Sequence, residues 1–126
     1  MATRIDFERS DCGLMAPCYR YIRQADQLPT LEELHTEEPL SVVARVRIFA
    51  PEGSMAWYIA AYDGVHHLAW GAVATQLGFE TGAIAMLELV ALRTPRLHLP
   101  VERDLYYQPA SLAQLAATWL RRSTTV

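Results

Sequence analysis

The sequence contains no lysine and no asparagine, so all eleven of its basic residues are arginines. Lysine and asparagine use AT-rich codons, and their absence predicts a source with a GC-rich genome, which we interpret as a bacterium. Arginine presents two N–H groups that fit a carboxylate side by side, so ion pairs in this chain can be bidentate. No stretch approaches the ~18 consecutive apolar residues of a membrane span, and we expect no membrane partner.

Cysteine is also scarce. Cys12 and Cys18 are the only two, and no further cysteine or paired histidine follows at the spacing of a zinc site. We therefore expect reduced thiols, no metal and no cofactor. The polar opening stretch lacks the apolar core of a signal peptide, which predicts a cytoplasmic protein.

The charge balance and length predict a single ordinary globular domain. The chain has 126 residues, 52% of them hydrophobic, and a net charge of −3, which argues against a dedicated nucleic-acid-coating protein. Residues 1–40 hold four arginines and eight acids, whereas the rest hold seven arginines and six acids. The first third is expected to form a solvated acidic layer on a domain that spans residues 1–126.

Alternating residues predict an antiparallel meander in the middle of the chain. Residues 41–51, 55–64 and 66–75 are its three strands, and Asp63-Gly64 is a hairpin signal. Gly71 inside the third strand indicates a bulge or a close backbone contact. In the first strand every second residue is apolar, which predicts one buried face formed by Val42, Ala44, Val46 and Ile48.

Helical signals surround this meander. Residues 18–27 and 28–38 are predicted to be short helices, and residues 86–92 a buried one. Ser111 and Gln114 have the spacing of a capping box, and an apolar stripe at helical spacing follows them. The fold class is therefore α+β, an antiparallel sheet of four or five strands packed by a C-terminal helix and one or two further short helices. We expect the C-terminal helix and the 86–92 helix on the same apolar face.

Aromatic and arginine side chains on adjacent strands are the candidate binding residues. Strand alternation places Trp57 on one face, and Tyr58 and Tyr62 together on the other. Arg45 and Arg47 lie on the neighbouring strand. Such a set is typical of a core or a protein-binding face, and it could also stack nucleic-acid bases.

Three adjacent charges, Glu102-Arg103-Asp104, lie in an apolar setting near the C-terminus. In an extended segment Arg103 points away from both acids, so the three cannot converge on one substrate. We expect Arg103 to form a bidentate bridge inside the fold, to Glu88 or Glu80. The acids are expected to pair with Arg93 or Arg96, or to cap backbone amides.

By Leu105 the order of motifs resembles the domain-of-unknown-function family 2958. The residues that carry the resemblance are spread through the chain (Phe49, Pro51, Trp57, Tyr58, Gly71, Glu80, Gly82, Glu88, Leu89, Arg93, Glu102, Arg103, Asp104 and Leu105). The resemblance covers residues 28–120, and residues 1–27 form an N-terminal extension outside it. Two positions depart from the family pattern, since Ala60-Ala61 replaces a common acid and Ala83 an aromatic residue.

The resemblance implies a small accessory protein, because members of this family are typical of plasmids, phages and integrated elements, near transfer or anti-defence genes. It implies a structural signature at Glu102, Arg103, Asp104, Glu88 and Gly82, and it implies no catalytic residues. We favour a non-enzymatic protein that binds a protein partner, with inhibition of a bacterial defence system of the anti-CRISPR or antirestriction type as one form of this role. A monomer and a homodimer are both compatible with the sequence.

Two alternatives stay open. A small hydrolase or nuclease would use Glu102, Asp104 and a histidine, although the chain has no nucleophile elbow, phosphate loop or His-Glu-x-x-His motif. A nucleic-acid-binding module would use Arg45 and Arg47 with the strand aromatics.

Overall fold

The computed structural model describes residues 21–34 and 38–124, without the side chains of residues 123 and 124. This part of the chain contains seven strands and two α-helices. The strands are β1 (Val43–Ala44), β2 (Val46–Phe49), β3 (Ala56–Asp63), β4 (Leu68–Ala74), β5 (Phe79–Ala85), β6 (Glu102–Arg103) and β7 (Ala110–Ser111). The helices are α1 (Met86–Ala91) and α2 (Leu112–Thr124). The predicted α+β fold with an antiparallel sheet is thereby confirmed.

The main sheet has five antiparallel strands in the order β5-β4-β3-β2-β6. β1 and β7 form a separate two-stranded sheet. The hairpin between β3 and β4 turns at the predicted Asp63-Gly64, where the Asp63 carboxylate accepts the amides of Val65 and His66 at 2.9 and 3.3 Å.

Each face of the main sheet carries its own core. On the α1 face, Ile48, Ile59 and Met86 are buried in one hydrophobic cluster. On the α2 face, Ala72 and Leu112 are buried in a second cluster. The expectation that both helices share one face is therefore wrong: α1 follows β5 directly onto one side, whereas α2 is held on the other side beside β7.

The strand predicted over residues 41–51 is broken at Arg45, between β1 and β2. Val42 and Ala44 are buried in the α2-face cluster, but Val46 and Ile48 are buried in the α1-face cluster. The single apolar face predicted for this segment is therefore divided between two cores. The cause is that β1 leaves the main sheet to pair with β7.

A β-bulge interrupts β3, because the pairing with β4 shifts between Ile59 and Ala61. One extra residue in a strand reverses the side-chain alternation that follows it. Tyr62 therefore packs against the α1-face cluster, while Tyr58 packs against the α2-face cluster. The prediction that these two tyrosines share a face is wrong for this reason.

The helix signals had mixed outcomes. The Ser111–Gln114 capping box is formed in both directions, with the Ser111 amide donating to Gln114 Oε1 at 3.0 Å and the Gln114 amide to Ser111 Oγ at 3.1 Å. Within residues 18–27, the described portion contains a 3₁₀ turn at Gln24–Asp26. Residues 31–33 form a turn instead of the predicted helix, and the rest of 28–38 lies partly outside the described residues.

Candidate binding surface

Arg103 points into the α1 face and is only 7% exposed. Its guanidinium forms a bidentate pair with Asp26, with Nη1 and Nη2 each 2.7 Å from a carboxylate oxygen. Nη1 also donates to the carbonyl of Tyr21 at 2.9 Å, and the Tyr21 hydroxyl donates to the carbonyl of Val101 at 2.5 Å. These contacts tie the segment before the sheet to the strand at its edge.

The bidentate bridge expected for Arg103 is present, but its partner is Asp26 and not Glu88 or Glu80. Asp26 lies 77 residues away along the chain and within the segment predicted to be an N-terminal extension. Its side chain is 5% exposed and also accepts the amide of Arg23 at 2.7 Å. No local spacing rule connects these two positions, so the sequence held no signal for the pair.

Asp104 and Glu102 lie on the opposite side of the sheet from Arg103, as strand alternation predicts. Asp104 pairs with Arg47, whose Nη1 lies 3.1 Å from Oδ2, and not with Arg93 or Arg96. Its other oxygen, Oδ1, accepts the amide of Tyr106 at 3.0 Å, which is a backbone cap of the kind expected. Glu102 faces Phe49 across the β2–β6 pair and is half-buried.

Arg47 lies on the same side of the sheet as Asp104 and contacts two aromatic rings there. Its guanidinium lies 5.0 Å from the ring centre of Phe49 and 5.9 Å from that of Tyr58, within cation–π range. Its Nε donates to the Tyr58 hydroxyl at 3.3 Å. Among the described residues the structure gives its Nη2 no hydrogen-bond acceptor, and the side chain is 28% exposed. Two N–H groups of Arg47 are thus free for an outside acceptor.

Two large exposed side chains directly follow Asp104, the ion-pair partner of this arginine. Asp104 folds the next residues into a turn through the Tyr106 amide, and the Tyr107 amide donates to the Asp104 carbonyl at 3.3 Å. Tyr106 is 90% exposed and Leu105 is 56% exposed. We call Arg47, Phe49, Tyr58, Leu105 and Tyr106 the Arg47 surface. It combines the residue types, tyrosine and arginine, that dominate the energetics of protein interfaces.

Tyr107 packs against Tyr58, a residue of the Arg47 surface. Its hydroxyl donates to the carbonyl of Ala44 at 2.9 Å, and its ring centre lies 5.9 Å from that of Tyr58. Burial, followed by the nearby Tyr58, raises the pKa of Tyr107 to about 12. The group is thus held neutral well above the ordinary range of tyrosine.

We expect the stability of the fold to fall as pH rises from about 10 to about 12, because an unfolded tyrosine loses its proton near 10 while Tyr107 keeps it until about 12. The contribution of Tyr107 is fully present below the lower value and lost above the upper one. Denaturant unfolding at pH 9, 10, 11 and 12 measures this, and Tyr107→Phe should flatten the decline. Tyr106→Phe is the control and should keep the wild-type decline; an equal flattening in both variants would contradict the assignment.

The other predicted binding residues do not join this surface. Trp57 is buried in the α1-face cluster, and Tyr62 packs against that cluster. Arg45 is exposed at the break between β1 and β2, where its amide donates to the Ile59 carbonyl at 2.9 Å. Of the five residues predicted to bind, the structure brings together Tyr58 and Arg47 alone.

The signature residues Gly82 and Glu88 lie at another edge of the sheet. Gly82 is opposite Gly71 in the β4–β5 pair, and a Cβ on Gly82 would meet no atom within 4 Å. Glu88 is exposed on α1 and lines a groove against the sheet.

The hydrolase alternative requires an acid, a second acid and a histidine in one place. Both oxygens of Asp104 are already engaged, one by Arg47 and one by a backbone amide. His66 pairs with Asp63 at 2.7 Å in the β3–β4 turn. His35 lies outside the described residues. The Asp104 carboxylate is therefore occupied by groups of the fold itself.

Sequence reasoning missed Leu105 and Tyr106 as surface residues. Continued alternation after the Glu-Arg-Asp triplet would have buried one of them, but the chain turns at Asp104. The available signal was the aspartate itself, since Asp side chains accept amides one or two residues ahead and start turns.

The sequence comparison identifies the family. Residues 21–125 match DUF2958, described as a protein of unknown function, and the chain belongs to that family. The match begins at Tyr21, ahead of residue 28, where the resemblance was expected to start. It therefore includes Tyr21 and Asp26, which both accept hydrogen bonds from Arg103. No curated protein and no solved structure gave a match.

In residues 21–34 and 38–124, no helix is long and apolar enough to cross a membrane. The same part of the chain holds no group of three or more histidine, cysteine, aspartate or glutamate side chains arranged for a metal ion.

Proposed function

We propose that this chain is a non-enzymatic accessory protein of a mobile genetic element that binds a protein partner through the Arg47 surface. The observation that carries the proposal is the exposure of Tyr106 and Leu105 on a turn that Asp104 fixes beside Arg47. A hydrogen-bonded turn presents these side chains with little ordering cost on binding, and a neutral carbonyl oxygen of the partner can accept from the free Nη2 of Arg47.

The genetic role extends this proposal. The family resemblance, with its association with plasmids, phages and anti-defence genes, supports a partner that belongs to a host defence complex. Inhibition would follow if the Arg47 surface covers a site that the complex needs. The partner chemistry that fits is a patch with an acceptor group for Arg47 next to an apolar pocket for Tyr106.

Nucleic acid fits this surface less well. Arg47 lies beside Tyr58, as base stacking would require, but its guanidinium is shared with the Asp104 carboxylate, which repels a phosphate. A mobility-shift assay at two salt concentrations separates the two functions. We expect no salt-dependent complex with DNA or RNA.

Affinity capture with matched variants tests the proposal. The wild-type protein, Tyr106→Ala and Leu77→Ala are used as baits in lysate of a bacterial host, and captured proteins are quantified by mass spectrometry. Leu77 is the control, because it is 96% exposed in the β4–β5 turn and is not part of the Arg47 surface. Removal of an interface anchor should lower recovery of the partner by about tenfold or more.

Leu77→Ala should leave that recovery unchanged, and both variants should keep the wild-type unfolding transition, since neither side chain is buried. The proposal fails if no protein is captured specifically, or if the captured set is the same for wild type and Tyr106→Ala.

A further inference from the structure

β5 forms one edge of the main sheet and has seven residues, Phe79–Ala85. The Met86 amide donates to the His67 carbonyl and the Thr75 amide to the Gly78 carbonyl, which fixes the hydrogen-bonding phase of the β4–β5 pair. Alternate residues of an antiparallel strand turn their N–H and C=O groups to opposite sides. Thr81 and Ala83 therefore direct these groups away from β4.

This edge lacks the usual protection of natural edge strands. Thr81 and Ala83 are exposed, and in the described part of the chain no residue accepts from or donates to their outward backbone groups. The strand contains no proline and no basic residue, and its single charge is Glu80. Such an edge is a template for an added strand.

An apolar groove adjoins the same edge. It has a volume of about 250 Å³ and lies between β5 and α1, on the α1 face. Its walls combine aliphatic and aromatic side chains with one carboxylate (Trp57, Val73, Ile84, Glu88, Leu89 and Leu92). An added strand next to β5 would direct alternate side chains toward this face.

The acidic residues on the α1 face beside β5 favour one kind of partner strand over another. Glu80 lies opposite Val73, which places it on the α1 face, and Glu88 lines the groove there. A second copy of β5, paired symmetrically about Gly82, would set its own Glu80 opposite Ile84, a groove residue alongside Glu88. Like charges would then meet on one face, which disfavours self-pairing.

We propose that β5 and the groove bind an extended, basic segment of a protein partner by strand addition. The outward groups of Thr81 and Ala83 make the backbone hydrogen bonds, and an apolar side chain of the segment enters the groove. An arginine or lysine two positions along the segment, on the same face as that apolar side chain, pairs with Glu80 or Glu88. Main-chain hydrogen bonds supply affinity in this mode, and pockets for alternate side chains supply specificity. This site is separate from the Arg47 surface and does not depend on it.

Selection from a displayed library of random dodecapeptides on the full chain tests the proposal. We expect enrichment of sequences in which an apolar and a basic residue stand two positions apart, because both side chains must lie on the α1 face. We expect the enriched peptide to bind Ala83→Pro about tenfold or more weakly. Proline removes one outward N–H and places its ring at the pairing edge, yet it breaks no bond to β4. Ala83→Val keeps the N–H and should weaken binding less than Ala83→Pro does, which separates loss of the hydrogen bond from a change of side chain at this groove residue.

Charge reversal tests the second half of the proposal. Glu88→Arg should weaken binding of the basic peptide, whereas Glu32→Arg, on an exposed turn elsewhere, should not. The proposal is overturned if no peptide is enriched, or if the enriched peptides bind Ala83→Pro as well as wild type. It is also overturned if the wild-type protein dimerises and Ala83→Pro abolishes that dimer, because the edge then binds a second copy.

Discussion

Replacement of Arg103 by methionine lowers the free energy of unfolding by about 3–5 kcal/mol, because it leaves the Asp26 carboxylate buried without its bidentate partner. The Tyr21 carbonyl loses a hydrogen bond at the same time. Methionine has a similar length and keeps most of the packing of the arginine stem, so the loss reports mainly on the uncompensated charge. Urea unfolding followed by far-ultraviolet circular dichroism measures the effect.

Two further variants separate the ion pair from arginine loss in general. Arg93 is exposed, and within the described residues it donates to the carbonyls of Val90 and Leu92, so Arg93→Met should change stability by less than about 0.5 kcal/mol. The double variant Asp26→Leu with Arg103→Met removes both charges and should recover most of the loss. A change below about 1 kcal/mol for Arg103→Met alone would contradict the structural role of this arginine.

Gly71→Ala is the second large effect, with an expected loss of about 3 kcal/mol or more. A Cβ at this position would overlap the carbonyl oxygen of Tyr58, which is backbone in the adjacent central strand. A backbone atom cannot move aside without disturbing the β3–β4 pairing, so the clash falls in the upper range of overpacking costs. Thermal and urea unfolding of the variant measure the loss.

Gly82→Ala is the matched control, because Gly82 pairs with Gly71 across the β4–β5 ladder. A Cβ there would meet no atom within 4 Å, so Gly82→Ala should be neutral or slightly stabilising through the reduced entropy of the unfolded chain. Equal losses at the two glycines would mean that glycine is needed for strand flexibility, and not for the close approach to Tyr58.

Local patterns predicted several elements well. The capping box at Ser111 and Gln114 is a contact between residues three apart, and α2 begins directly after it. The predicted start of the 86–92 helix also agrees with the structure, since α1 begins at Met86, directly after β5 ends at Ala85. Contacts of this short range depend on neighbouring residues alone, so they can be predicted from the sequence.

Long-range choices could not be predicted. The bulge after Ile59 inserts one residue and moves Tyr62 to the other face, although Gly71 hinted at irregularity beside it. The pairing of Arg103 with Asp26 joins positions 77 residues apart. Several other acidic residues could equally have been the carboxylate partner expected for Arg103. Two of the five residues of the Arg47 surface, Tyr58 and Arg47, were predicted from the sequence. Leu105 and Tyr106 required the turn at Asp104, which a strand pattern does not reveal.

Site-specific photocrosslinking tests the central claim most directly, namely that the Arg47 surface is where a protein partner binds. A photoreactive phenylalanine derivative is placed at Tyr106 in one variant and at Leu77 in another, and each is irradiated in the host cell. We expect one discrete covalent adduct from position 106 and none from position 77. Adducts of equal yield from both positions, or no adduct from position 106, would contradict it.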